Sequence, residues 1–201
     1  MLSRNAYLTS LSLFICAAVP ATGVAQSALP VEQQLVAAVL PLPSDMRAGA
    51  TVLGYNAGAT TLGVLRKGTN GMTCLAPDPK RPQFHVACYH DSMEPFMLRG
   101  RELRAKGMSK IEEVDSARFA EIKSGKLALP KLPASLYSLT GPAGSFDAAA
   151  GEAKGARKLF VVYMPYATTA TTGIPTTAKQ GEPWLMFPGT PKAHIMLIGS
   201  M

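Results

Sequence analysis

The chain reads as an α+β protein: an antiparallel meander sheet with two or three helices packed on one face and one disulfide. Three observations carry that reading. Short β-branched and aromatic runs, separated by turn signals, crowd residues 50–89. Two helical segments stand side by side over residues 92–125. Only two cysteines, Cys74 and Cys88, remain once the first 25 residues are set aside.

Those first residues have the form of a cleaved secretory leader. Arg4 gives a positive start, residues 8–20 are an apolar core, and Gly23-Val24-Ala25 places small residues before a cut at Gln26. Residues 26–201 are then expected to form a single domain exported to the periplasm or beyond the cell. No later run approaches the roughly 18 apolar residues that cross a bilayer, so no transmembrane segment is expected after cleavage. Cys16 falls inside the leader. Cys74 and Cys88, with 13 residues between them, are expected to form a disulfide in an oxidising compartment. A redox motif would place its cysteines closer together.

The elements follow in order. Residues 31–40 carry apolar side chains at 31, 35, 36, 39 and 40, a helical stripe that stops before Pro41 and Pro43. Residues 50–55 and 61–66 read as a hairpin across Asn56-Ala57-Gly58-Ala59. Asn70-Gly71 reads as a second, tight hairpin turn into MTCLA, because both residues tolerate positive φ. Residues 84–89 give a fourth strand. Ser92 is placed to cap a helix with Pro95 in its first turn, ending at Gly107. Ser109-Lys110-Ile111-Glu112 has the spacing of a capping box for a second helix that ends at Gly125. Residues 136–140, 159–165, 184–187 and 193–198 read as strands. The Ala/Gly-rich segment 141–157 and the Thr-rich segment 167–183 between them read as irregular.

The densest set of chemically capable side chains is His85, Cys88, His90 and Asp91, followed by Met93, Glu94 and Met97. Residues 85 and 88 fall on opposite faces of a strand, so one metal cannot collect them without a bulge. A metal reading needs His90 with His194, or the soft thioethers Met93 and Met97 one helical turn apart. It would make the chain a metal-binding protein or a metal-dependent hydrolase. No G-x-S-x-G elbow or S-x-x-K set marks a nucleophile. Gly68-Thr69-Asn70-Gly71 lacks a P-loop ending. Glu94, Glu102, Glu112, Glu113 and Asp115 fall mainly on helices, where solvated surface charge is the expected role.

The net charge is +7, and Arg4 is the only charged residue of the leader, so +6 remains without it. That surplus favours anionic partners, while export and a thin supply of aromatics argue against nucleic acid. Met93, Phe96, Met97, Gly100 and Leu103 fall on one face of the 92–106 helix, while Arg99, Arg101, Arg104 and Lys106 occupy much of the remainder and are the candidate ligand-binding residues. No motif calls for a cofactor.

The string Arg66-Lys67-Gly68-Thr69-Asn70-Gly71-Met72-Thr73-Cys74, followed by Ala87-Cys88, resembles a G-T-N-x-x-T-C pattern of uncharacterised exported bacterial proteins. The resemblance spans roughly residues 60–105 and implies export and the cysteine pair, with no activity attached. The expected function is therefore an exported envelope protein, non-catalytic, that binds an anionic ligand or a protein partner.

Overall fold

The computed structural model describes residues 28–198; the expected leader, residues 1–25, lies outside the described residues. Five helices appear in it, α1 (Val31–Val39), α2 (Ser44–Arg47), α3 (Glu94–Ala105), α4 (Ile111–Lys123) and α5 (Thr169–Thr172). The strands are β1 (Thr51–Gly54), β2 (Gly63–Arg66), β3 (Met72–Leu75), β4 (Phe84–His90), β5 (Ala134–Gly141), β6 (Phe146–Asp147), β7 (Glu152–Ala153), β8 (Arg157–Tyr163), β9 (Trp184–Met186) and β10 (His194–Ile198). Eight of them form one sheet in the order β2-β1-β3-β4-β5-β8-β10-β9, and β6 and β7 pair by themselves.

The sheet is mostly antiparallel but not a meander. After the β1–β2 hairpin the chain passes to the other side of β1, and β3 pairs with β1 in parallel, Val52 opposite Cys74. Asn70-Gly71 is therefore a crossover and not the hairpin turn its sequence suggests. The Asn70 side chain donates to the Met46 carbonyl at 2.7 Å and accepts from the Met72 amide at 3.1 Å, while Gly71 takes φ 74°. Gly68 passes so close to the preceding segment that a Cβ would lie 2.2–2.3 Å from the backbone of residues 49–51. Arg66 reaches back to the carbonyls of Arg47 (2.7 Å) and Ala50 (3.0 Å). Residues 66–72 thus hold a chain crossing, a role in the fold.

Helices cover both faces of the sheet, not one. Strand alternation divides β4: Val86 and Cys88 lie on one face, Tyr89 on the other. Directly paired residues share a face, so Val52, Cys74, Cys88 and Tyr137 form a row that packs with Ala38, Val39 and Leu42 at and beyond the end of α1. On the opposite face Tyr89 and Leu136, also register partners, pack with Met93 just ahead of α3, Phe96 and Met97 of α3, and Phe119 and Ile122 of α4. Cys74 and Cys88 are direct cross-strand partners and are disulfide-bonded, with Cα atoms 3.9 Å apart and no exposure to solvent. Closing a loop of that size contributes about 3 kcal/mol in the chain-entropy model.

Local starts differ in detail. His90, not Ser92, caps the turn that leads into α3, its Nδ1 accepting from the Ser92 amide at 3.2 Å. No side-chain cap bond forms at α4. Within the Thr-rich segment, Thr168 and Thr171 form a capping box that starts α5. Among the described residues no helix is long and apolar enough to cross a membrane.

Candidate functional site

The four basic residues of α3 and its end do not form one free cationic face. Arg99 clasps Glu121 of α4 at 2.6–3.0 Å and donates to Glu102 at 2.8 Å. Arg101 donates to Glu94 at 2.6 Å and to the Tyr89 hydroxyl at 2.8 Å, while that hydroxyl donates to the other Glu94 oxygen. Arg104 donates to the Gly100 carbonyl at 3.2 Å. Its Nη1 and that of Arg118 both lie within 3.2 Å of the place a Gly100 Cβ would occupy. Burial, then the like charges of Arg118 and Arg81, lower the Arg104 pKa. Lys106 is exposed.

The metal ligands of the alternative reading are scattered. His194 pairs with Tyr163, and Tyr163 with Ala134, which places His194 on the Tyr89 face of the sheet. His90 shares the Cys88 face and is separated from β10 by β5 and β8, roughly 14 Å at ordinary strand spacing. His90 bonds Ser92 instead, and His85 bonds Thr140. Met93 is fully buried in the core and Met97 packs against it. Among the described residues no group of three or more His, Cys, Asp or Glu side chains converges.

A groove of about 980 Å³ lies elsewhere, at the end of the sheet where β1 and β3 finish and β4 begins. Its walls are Ala28–Val31, the Tyr55–Thr60 turn, and Pro79–Pro82. Gln34, buried in α1, joins the first two. Its amide nitrogen donates to the Leu29 carbonyl at 2.6 Å and to the Tyr55 carbonyl at 2.9 Å, and its oxygen accepts from the Tyr55 amide at 2.8 Å. Gly54 leaves room for this bracket, since a Cβ there would lie 2.5 Å from the Gln34 oxygen. Asp78 shapes the third wall by accepting from the Lys80 amide at 2.9 Å.

The groove combines an apolar lining with cations at its rim. Leu29, Val31, Tyr55, Ala57, Pro79 and Pro82 are among its lining residues; Lys80 and Arg81 are both exposed. Lys80 makes no ion pair among the described residues, and Arg81 has only a 3.9 Å contact to a half-exposed Asp78. Such an exposed pair is worth little and leaves the guanidinium open to exchange partners. Burial pushes the Tyr55 hydroxyl up to about 12, with Asp78 adding to the rise and Arg81 opposing it, so it stays protonated as a donor. The sequence offered Asn56–Ala59 and the proline loop only as turns. Nothing local shows that Gln34 brings them against the start of α1.

A buried charge cluster lies at the opposite end of the strands. Arg118 of α4, 4% exposed, stacks on Phe96 at 3.8 Å and donates to the Phe96 carbonyl at 3.2 Å and to Asp115. Lys192, ahead of β10, donates to the second Asp115 oxygen at 2.7 Å. Burial raises the Asp115 pKa, but hydrogen bonds and charge from Lys192 and Arg118 outweigh it and hold the carboxyl below its ordinary value. His194 lies between the tilted rings of Tyr163 (4.9 Å) and Phe187 (5.7 Å), with Nδ1 2.7 Å from the Lys192 carbonyl. Burial lowers its pKa, so it is neutral at pH 7 and donates from Nδ1. This cluster clamps the 187–193 loop to α4, and the cavity stands apart from it.

No family model, no curated protein and no solved structure matches the chain, so the functional reading rests on this geometry.

Proposed function

We propose that the protein is an exported, non-catalytic binding protein for an amphiphilic anion, held in the groove between Ala28–Val31, Tyr55–Thr60 and Pro79–Pro82. One observation carries the reading: a preformed apolar groove with two weakly paired cations at its rim. Such a site takes an apolar chain into its lining and an anionic head at Lys80 and Arg81, with the Tyr55 hydroxyl as donor. The leader and the disulfide support export, and the positive net charge suits an anionic ligand. Relative to the α3 face, the anion moves to cations that have fewer protein partners.

The test is calorimetric titration of residues 26–201 with dodecanoate. Saturable binding is expected, weakened about tenfold by Lys80→Gln with Arg81→Gln, equivalent to about 1.4 kcal/mol. Ala57→Trp, which fills the groove from an exposed position, is expected to abolish it. Absence of saturable binding, or binding indifferent to Ala57→Trp, overturns the proposal.

A further inference from the structure

At the end of the strands away from the groove, three large apolar side chains project into solvent just past one register row. The row is Ala134, Tyr163, His194 and Met186, paired in turn across β5, β8, β10 and β9. Leu132 precedes it by two residues and is 77% exposed, Tyr166 follows Tyr163 by three and is 52% exposed, and Phe187 follows Met186 and is 43% exposed. Both aromatics have left-handed backbone, φ 65° at Tyr166 and φ 52° at Phe187. For bulky residues that conformation is strained and persists only where the surroundings fix it. They do so here: the Tyr166 amide donates to the Thr190 carbonyl at 2.8 Å, the Gly189 amide to the Ala167 carbonyl at 2.8 Å, and the Thr190 hydroxyl to the Phe187 carbonyl at 2.8 Å. Lys192, anchored on Asp115, lies 4.4 Å from the centre of the Phe187 ring. The loops are knit together, and although the Phe187 ring packs on Lys192 and His194, both aromatics remain about half exposed.

The exposed charge in the loops that carry these tips is basic, and the two carboxylates nearby are held by cations, Asp115 by Arg118 and Lys192 and Glu121 by Arg99. Residues 122–133 carry Lys123, Lys126 and Lys131, all exposed, and no carboxylate; residues 164–170 and 187–193 carry no carboxylate either. The three lysines make no ion pair among the described residues. On the neighbouring β4–α3 segment, Asp91 accepts from Thr73 at 2.6 Å and Glu94 is held by Arg101 and Tyr89. Exposed apolar and aromatic tips beside free lysines are what an anionic bilayer surface accommodates: side chains enter the headgroup boundary and ammonium groups meet lipid phosphates.

We infer that this end of the protein, led by Leu132, Tyr166 and Phe187 and flanked by Lys123, Lys126 and Lys131, docks on anionic lipid membranes. The inference stands on different residues from the groove and does not depend on it. Its test is co-sedimentation of residues 26–201 with vesicles of phosphatidylcholine alone or mixed with phosphatidylglycerol, at low and high salt. Binding to the mixed vesicles alone is expected, reduced by salt because the lysine contacts are screened. Leu132→Asp and, separately, Tyr166→Ser should each weaken it about tenfold. Val64→Asp, on the exposed face of edge strand β2, should leave it unchanged. Circular dichroism of each variant guards against unfolding, and the high exposure of Leu132 makes its replacement a mild change to the fold. Failure to bind the mixed vesicles, equal loss with Val64→Asp, or ultracentrifugation showing that Leu132→Asp breaks a dimer while vesicle binding persists, overturns it.

Discussion

Replacing Asp115 with Asn tests the clamp between α4 and the loop before β10. Asp115 and Lys192 side chains are 15% and 14% exposed, and Arg118 is 5% exposed. The carboxylate therefore neutralises two largely desolvated cations at once. In Asp115→Asn the amide oxygen can accept from one of them, and the amide NH2 must face the other. Leaving a buried charge unpaired costs about 3–5 kcal/mol. For a chain of this size 1 kcal/mol moves Tm by roughly 2–4 °C, so Asp115→Asn should lower Tm by about 10 °C. Lys192→Met is the control. It removes one charged hydrogen bond but leaves Asp115 paired with Arg118, so it should cost only about 2 kcal/mol. Paired denaturant melts at pH 7 measure both. Because the folded pKa of Asp115 is lowered, its contribution is fully present above the unfolded value near 3.8. It is lost as pH falls through the folded value, so Asp115→Asn and the parent should converge in strong acid. Equal costs for the two variants, or an Asp115→Asn cost under about 1 kcal/mol, would refute the shared-anion account.

Two further outcomes follow from the geometry. Gly68→Ala places a Cβ 2.2 Å from the Thr51 nitrogen, and backbone cannot yield as a side-chain tip can. Its cost should exceed the usual 1–3 kcal/mol of overpacking, seen as loss of the folded fraction in urea melts. His194 is buried and neutral with a folded pKa below 6.5. The unfolded chain therefore binds the proton more readily, and stability should fall as pH drops from 6.5 through the folded value. His194→Gln should flatten the dependence of Tm on pH in that window; an unchanged slope would assign it to other groups.

Local order explains why many elements were legible. The stripe at 31–40 became α1, and the β-rich runs became β1 to β4 within a residue or two. The cysteines were readable because few candidates remained and the pairing needed no geometry. Asn70-Gly71 misled because an Asn-Gly pair favours positive φ wherever a turn is needed. The direction of the turn is set by Gly68 passing under residues 49–51. The α3 basic stripe misled in the same way: spacing gives a face, but Glu121 lies 22 residues from Arg99 and only helix packing brings them together. The groove and the clamp were illegible because Gln34 and Tyr55, or Asp115 and Lys192, meet only in three dimensions.

By itself the sequence determined α1, α3, α4 and the strands of the large sheet, the mixed α/β class and the cysteine pair, since these follow from hydrophobic period, turn chemistry and composition; the short α2, β6, β7 and α5 fell in segments it left irregular or unassigned. Tertiary structure decided that β3 crosses to pair in parallel with β1, that helices cover both faces, and which cations keep free valence. Those are long-range properties. A charge is available for binding only if no partner from a distant segment reaches it first, and among the described residues Arg99 and Arg101 are in ion pairs while Lys80 and Lys131 are not.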